Sequence, residues 1–266
     1  MDPKRKGARS LKDLSEDILD QLNKGEIESV NLTEWLVIDA KLLLKNILEQ
    51  TGRQAYLAPI LSNIEKLKKQ TVNTINETIG IGLLRETQVN EDNDFLKLLS
   101  SHVSDAVRCW ATYTIGRNPK LSIGQKLEQL EPFAADSHFG VREIAWMAVR
   151  PHLTEQITAS IQILAAWTQS EDENIRRFAS EATRPRGVWS EHIVALKENP
   201  EMALDILSPL KTDSSKYVRD SVGNWLNDAS KSQPQFVIDL CKQWEKDSPT
   251  KETAYIIKKA MRTLNK

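Results

Sequence analysis

Four stretches of this chain superimpose without gaps: SDAVRCWATYTIG (104–116), FGVREIAWMAVRP (139–151), ENIRRFASEATRP (173–185) and KYVRDSVGNWLND (216–228). Each carries a β-branched residue followed by arginine. These pairs, Val107-Arg108, Val141-Arg142, Ile175-Arg176 and Val218-Arg219, recur 34, 34 and 43 residues apart. Counting the β-branched residue as zero, positions +3 and +4 hold Trp110-Ala111, Ile144-Ala145, Phe178-Ala179 and Ser221-Val222. That spacing is the apolar stripe of an amphipathic helix, and it faces a core.

Between these blocks lie LSIGQKLEQLEPFAA, TEQITASIQILAAWTQ and NPEMALDILSPLKT, each of which reads as the second helix of a pair. No segment alternates as a strand. A two-helix unit repeating at this length predicts an all-α, HEAT-like helical-repeat solenoid. Ser104, Asp136, Ser170 and Asp213 stand where a side-chain oxygen would cap each repeat helix. Pro119, Pro151 and Pro185 are expected to end three of those helices, because proline lacks an amide donor and clashes with the preceding turn. The earlier helical stretches, DLSEDILDQLN, LTEWLVIDAKLLLKNILEQ and QAYLAPILSNIEKLKKQ, are less regular and suit the capping end of a repeat array. The reading is one repeat domain over 11–266, with irregular capping helices to about residue 100. Residues 1–10, basic and without apolar residues after Met1, are expected to be disordered.

Composition removes several classes. No run approaches the roughly 18 apolar residues of a membrane span, and no apolar signal core follows the basic start. A soluble, cytoplasmic, monomeric protein is expected. Cys109 and Cys241 lie far apart in helical patterns and read as buried thiols. His102, His138, His152 and His192 show no zinc-ligand spacing, and there is no Gly-rich phosphate loop, no GxSxG and no Cys/His nucleophile pair. Neither metal nor cofactor is expected. Schiff-base chemistry by a lysine stays open, with no lysine standing out. A net charge of −1 means that any nucleic-acid surface must be local.

Offsets +2, +6 and +10 of the repeat helix share a narrow stripe, since four residues advance only about 40°. Glu143, Glu181 and Asp228 occupy it in three successive repeats, with Asp220 and Asn224 beside them in the last. These carboxylates either converge on one surface or form an ordinary solvated face. The repeated arginine at +1 reads as a structural ladder. Arg184 and Arg186, flanking Pro185 and followed by Gly187, Val188 and Trp189, form a turn suited to phosphate contact and stacking. The alternative is an exposed turn over a packed Trp.

The blocks HFGVREIAWMAVRP (138–151), IRRFASEATRPRGVW (175–189) and VRDSVGNWLNDASKSQP (218–234) resemble the DNA alkylation repair family, HEAT-like glycosylases of the AlkC/AlkD type, and are closer to AlkC. The AlkC-like pattern reads FGVRE-W-AW, S-E-G-T-R-P-R and S-V-x-N-x-L-N-D. Here Ile144 replaces the first Trp, Ala182 the Gly, and Trp225 stands where His is common. Carried across, the family's active-site surface falls on Glu143, Glu181, Trp189 and Asp228. Longer members carry a C-terminal immunoglobulin-like domain, for which this chain leaves no room, so the resemblance implies a weaker grip on DNA.

What the resemblance implies is hydrolysis of the N-glycosidic bond of a cationic methylated base, such as 3-methyladenine or 3-methylcytosine, in double-stranded DNA. A cationic base leaves readily, so the protein has only to stabilise an oxocarbenium-like sugar and position water. Asp228 and Glu181 are expected at sugar and water, Glu143 in support, Trp189 and Asn224 against the substrate, and Arg184 and Arg186 at phosphates. A non-catalytic binder of DNA structure and a HEAT adaptor for another protein are the rival readings. Nothing in the sequence identifies a pocket or wedge for base flipping.

Overall fold

The computed structural model describes residues 5–265, and among these there are helices but no strands. The chain forms two compact units, residues 1–120 with 137–148, and residues 121–136 with 149–266. In the first unit lie α1 (Glu16–Lys24), α2 (Leu32–Val37), α3 (Ala40–Gln50), α4 (Leu57–Glu65), α5 (Val72–Val89), α6 (Asn93–Ser100) and α7 (Asp105–Gly116). The second holds α8 (Ile123–Ala134), α10 (Ile157–Trp167), α11 (Glu173–Ala182), α12 (Val194–Glu198), α13 (Leu204–Leu207), α14 (Lys216–Ser230), α15 (Pro234–Asp247) and α16 (Lys251–Ala260). Helix α9 (Phe139–Glu155) gives its first turns to the first unit and the rest to the second. No helix among the described residues is long and apolar enough to cross a membrane.

The four repeat blocks are helices α7, α9, α11 and α14, and every residue at +3 and +4 is at most 2% exposed. In the first unit α7 packs on α5 and α6. In the second, α11 packs on α14 and α14 on α16. The longest N-terminal pattern divides where a polar side chain offers a better local bond. Asp39 accepts from the amides of Lys41 and Leu42 and so separates α2 from α3.

Capping differs from the sequence expectation. Helix α11 begins after Asp172 and α14 after Ser215, whose side chains accept from Asn174 N and Tyr217 N. Ser170 and Asp213 lie two residues earlier and accept the amides of those caps. Ser104 is an N-cap by position but makes no side-chain cap bond; His102 Nδ1 instead accepts the Ser104 amide. Pro119 and Pro185 follow the ends of α7 and α11, as expected, whereas Pro151 lies inside α9. Val149 and Leu153 on either side of it are fully buried, and this burial holds the helix through the missing bond.

The repeated arginine at +1 has a structural task in all four blocks. Its Nη1 turns back to carbonyls five or six residues upstream: His102 and Val103 for Arg108, Ser137 for Arg142, Ser170 and Glu171 for Arg176, Asp213 and Ser214 for Arg219. Each arginine thereby clips the incoming loop onto the first turn of its helix. Arg176 also reaches the next repeat, where Nε and Nη2 pair with Asp213.

In the first unit, fully buried Asp105 accepts from the Ser29 amide and hydroxyl at 2.9 and 2.8 Å, which ties the N-terminal segment to α7. The disorder expected of residues 1–10 falls in part on residues 1–4, outside the described residues. Of the remainder, Arg5 pairs with buried Glu34, and Glu34 also accepts the Ala8 amide. Helices α5 and α7 approach closely at Gly80, where a Cβ would stand 2.4 Å from Tyr113 Cβ and 3.0 Å from the Trp110 carbonyl. Gly80→Ala is expected to lower stability by about 1–3 kcal/mol, the usual cost of overpacking. Urea denaturation measures this, and an unchanged midpoint would show that the two helices part freely.

Candidate active site

Glu181 sits in the last turn of α11, and Asp228 near the end of α14, which packs against it. Helix α11 stops at Ala182, and the chain then turns so that the Arg184 side chain folds back between the two acids. Its Nη1 donates to Glu181 Oε1 at 2.7 Å, while Nε and Nη2 donate to Asp228 Oδ2 at 2.9 and 2.7 Å. All three side chains are buried, Arg184 at 9% exposure, Glu181 at 4% and Asp228 at 5%. Arg184 was expected to touch phosphate. In the structure Nε and one donor each of Nη1 and Nη2 are turned inward to the two carboxylates.

Ser221 occupies the +3 position where the other repeats place Trp, Ile or Phe. Its hydroxyl donates to Glu181 Oε2 at 2.7 Å and accepts from Ser180 Oγ at 2.8 Å. Arg177, one turn before Glu181, lies 3.5 Å from Oε2 and stacks over the Tyr217 ring. Burial works against charge on Glu181, but Arg177, Arg184 and the Ser221 hydroxyl outweigh it and hold the carboxyl below its ordinary range. Burial likewise opposes the Arg184 charge, and the two acids overcome it and raise the pKa. Among the described residues, Asp228 Oδ1 meets Lys231 Nζ at 3.1 Å, on a side chain that is 40% exposed.

Beneath the turn lies Arg150, 3% exposed. It donates to the carbonyls of Ala182, Arg184 and Glu191 at 2.7, 2.6 and 3.1 Å. Burial and the neighbouring Arg184 charge lower its pKa to about 10, which leaves it protonated at neutral pH. Gly187 rests against it: a Cβ there would stand 3.0 Å from Arg150 Cζ and 2.4 Å from Ser190 Oγ. The turn closes with Ile193 N on the Pro185 carbonyl at 3.1 Å. It presents Trp189 at 68% exposure in the left-handed region, φ +56°. That conformation costs an ordinary residue roughly 1–2 kcal/mol and persists only where the surroundings enforce it.

Of the sequence candidates, then, the structure joins Glu181 to Asp228 through Arg184 and exposes Trp189. Arg186 is half-buried, with Nη2 on Ser232 Oγ at 2.7 Å. Half-buried Asn224 accepts from Arg262 at 2.8 Å. Glu143 belongs to the first unit, where its Oε2 accepts from Trp146 Nε1 at 2.9 Å. The three departures from the AlkC-like pattern are all buried. Ile144 and Ala182 fill the core, and Trp225 donates to the Thr183 carbonyl at 2.9 Å, satisfying the end of α11. Sequence reasoning missed Arg150, Arg177, Lys231 and Ser221. Only Ser221 carried a signal, since a hydroxyl at a core position needs a buried partner. Among the described residues no group of three or more His, Cys, Asp or Glu is placed to hold a metal ion.

The helical fold and part of the sequence have counterparts among known proteins. Residues 140–264 match the family model described as DNA alkylation repair enzyme. The uncharacterized protein YhaZ of Bacillus subtilis (strain 168) is 45% identical over 119 residues, which are 45% of this chain and 33% of that protein. The alkylpurine DNA glycosylase AlkC of Pseudomonas fluorescens, solved bound to DNA containing an abasic site analog, superimposes with TM-score 0.67 at 23% identity, over 98% of this chain and 66% of that one. AlkD2 from Streptococcus mutans superimposes with TM-score 0.59 at 26% identity, over 79% of this chain and 97% of that one. The chain thus matches a third of the length of its curated relative and 66% of AlkC, and at 23% identity the likeness to AlkC is one of fold. By fold this is an all-helical repeat protein. By sequence, residues 140–264 are similar to the DNA alkylation repair family that the motifs resemble.

Because Glu181 titrates below its ordinary range, its pairing stabilises the fold above that range and is lost as pH falls through the lowered value. Arg184→Ala strands two buried carboxylates and is expected to cost about 3–5 kcal/mol at neutral pH. Acidification protonates Glu181 and narrows the gap to wild type. Denaturation at pH 7 and pH 4 measures both, and an equal gap at the two values would show that the guanidinium does not hold these charges.

Proposed function

We propose that this protein is a DNA glycosylase that hydrolyses the N-glycosidic bond of cationic alkylated bases of the 3-methyladenine or 3-methylcytosine type. The observation that carries the reading is the buried Glu181–Arg184–Asp228 bridge, lying at the foot of a turn that exposes Trp189. The match of residues 140–264 to the DNA alkylation repair family model and the fold shared with AlkC and AlkD2 support it.

Departure of a cationic base needs no strong general acid. It needs negative charge near the sugar as positive charge migrates from base to ring, together with an oriented water. The two acids divide these tasks unequally. Glu181 has both oxygens occupied, by Arg184 and by Ser221, so it acts as a positioning residue that fixes Arg184 and through it Asp228. Asp228 has one oxygen held rigidly and the other held only by a half-exposed lysine, so Oδ1 is the atom that faces sugar and water. A carboxylate there both stabilises the oxocarbenium-like sugar and accepts the water proton. The exposed indole of Trp189 stacks on the cationic nucleotide, where the π face favours positive charge. Asn224 is a substrate contact in this reading. Arg184 acts in this reading through the two acids it bridges.

Asp228→Asn keeps the shape of the side chain and removes its charge. Release of free methylated base from alkylated duplex is expected to fall by about two orders of magnitude or more, the scale of losing one preorganised electrostatic group. Duplex affinity should hold or rise slightly. Equal release by both proteins would remove Asp228 from the chemistry. Duplex binding by a wild-type protein that releases no base would put the non-catalytic reading first.

A further inference from the structure

The turn after α11 and the end of α14 meet at a cluster of donors that the bridge of acids does not use. Arg186 Nη2 donates to Ser232 Oγ at 2.7 Å, joining the two segments. Arg186 Nε is buried and has no acceptor, and so is the Ser190 hydroxyl, which sits against Gly187 in the same turn. Lys231 adjoins Ser232 in sequence and is the half-exposed cation on Asp228 Oδ1. The surrounding field is positive. The His192 pKa is lowered first by desolvation and then by the charges of Lys197, Arg186 and Arg150, with Asp228 alone acting the other way. Buried donors without acceptors are rare in folded proteins and call for a partner. The partner these share is one rich in acceptors and negatively charged.

We infer that Arg186, Lys231 and Ser232, with the Ser190 hydroxyl beside them, form a seat for one backbone phosphate of duplex DNA, adjacent to the nucleotide that Asp228 faces. The inference rests on DNA being the substrate, as proposed above. An arginine fork offers a phosphate two parallel donors, and a lysine adds a mobile point charge. Lys231 gives the seat a second effect. In the free protein both Asp228 oxygens are neutralised, Oδ2 by Arg184 and Oδ1 by Lys231. A phosphate in the seat draws Lys231 from Oδ1 and leaves that oxygen uncompensated when a nucleotide is in place. The acid is thereby unmasked by the strand it acts on.

The test uses the full chain and a duplex containing a tetrahydrofuran abasic analogue, with methylphosphonate replacing one phosphate at a time. Since this DNA has no base to release, binding is read apart from chemistry. Wild-type affinity should fall about tenfold at one or two adjacent phosphates beside the analogue, as expected for a lost charged hydrogen bond. Arg186→Ala should bind the unmodified duplex about tenfold more weakly, lose about one unit of salt slope, and no longer respond to methylphosphonate at those positions. Lys231→Ala should share that insensitivity, and Arg186→Lys, which keeps the charge, should recover part of the affinity. Helical circular dichroism matching wild type shows that the variants fold. Three results each overturn the seat: an Arg186→Ala protein that still responds to the same methylphosphonates, a wild type with no position-specific loss, or no salt-dependent duplex binding. A protein that maps to one phosphate yet releases no methylated base keeps the seat and loses the glycosylase reading. One that releases base equally well with and without Arg186 loses only the seat.

Discussion

Two carboxylates buried side by side stay charged only if cations are buried with them, and in this protein the cation that reaches both is Arg184. The alternatives are protonation or exposure, and either would dissolve the arrangement. A single guanidinium reaches both acids because its donors diverge in one plane, with Nη1 toward α11 and Nε and Nη2 toward α14. A lysine at this position would meet one acid or the other. The position of the arginine is itself determined. It stands just past the end of α11, and Pro185 after it prevents the helix from carrying its side chain away.

A buried charge needs a frame that cannot relax, and two residues supply it. Arg150 binds three carbonyls of the turn from below, and Trp225 binds a fourth, that of Thr183. With its carbonyls taken, the backbone from Ala182 to Glu191 is tied at several points, which is how an exposed tryptophan is kept in the left-handed region. The rigid and adaptable parts of the site are therefore separate. Glu181, Arg184 and one oxygen of Asp228 are immobile. Lys231, which holds the other oxygen of Asp228, and the Trp189 indole face outward, where a ligand can meet them.

Most of the fold was legible in the sequence. The pairs at +3 and +4 from Trp110-Ala111 to Ser221-Val222 are the core, because helical periodicity and burial are the same fact in a repeat. Helix boundaries were less legible. Ser170 and Asp213 were legible as polar residues before a helix, but not as residues that cap the cap. The sequence stripe left open whether Glu143, Glu181 and Asp228 converge, and the structure joins Glu181 to Asp228. It did not show that Arg184 would lie between them, since a linear pattern carries no information on whether an arginine beyond a helix end turns toward solvent or back. Arg150 was illegible for a related reason: its partners are backbone carbonyls, which every residue has. Pro151 looked like a helix end because local preference opposes it, and tertiary burial of Val149 and Leu153 prevailed.

The arginine that follows each β-branched anchor bears on how the chain folds. Its bonds to carbonyls five and six residues upstream close short loops, and short loops close early because little chain entropy is lost. Each repeat helix can therefore organise its own start before any neighbour is present. Arg176 then adds one bond set of far longer reach, to Asp213 in the following repeat. Nucleation can thus begin within any repeat and spread outward, and the two acids come together late, only after their separately formed helices have docked.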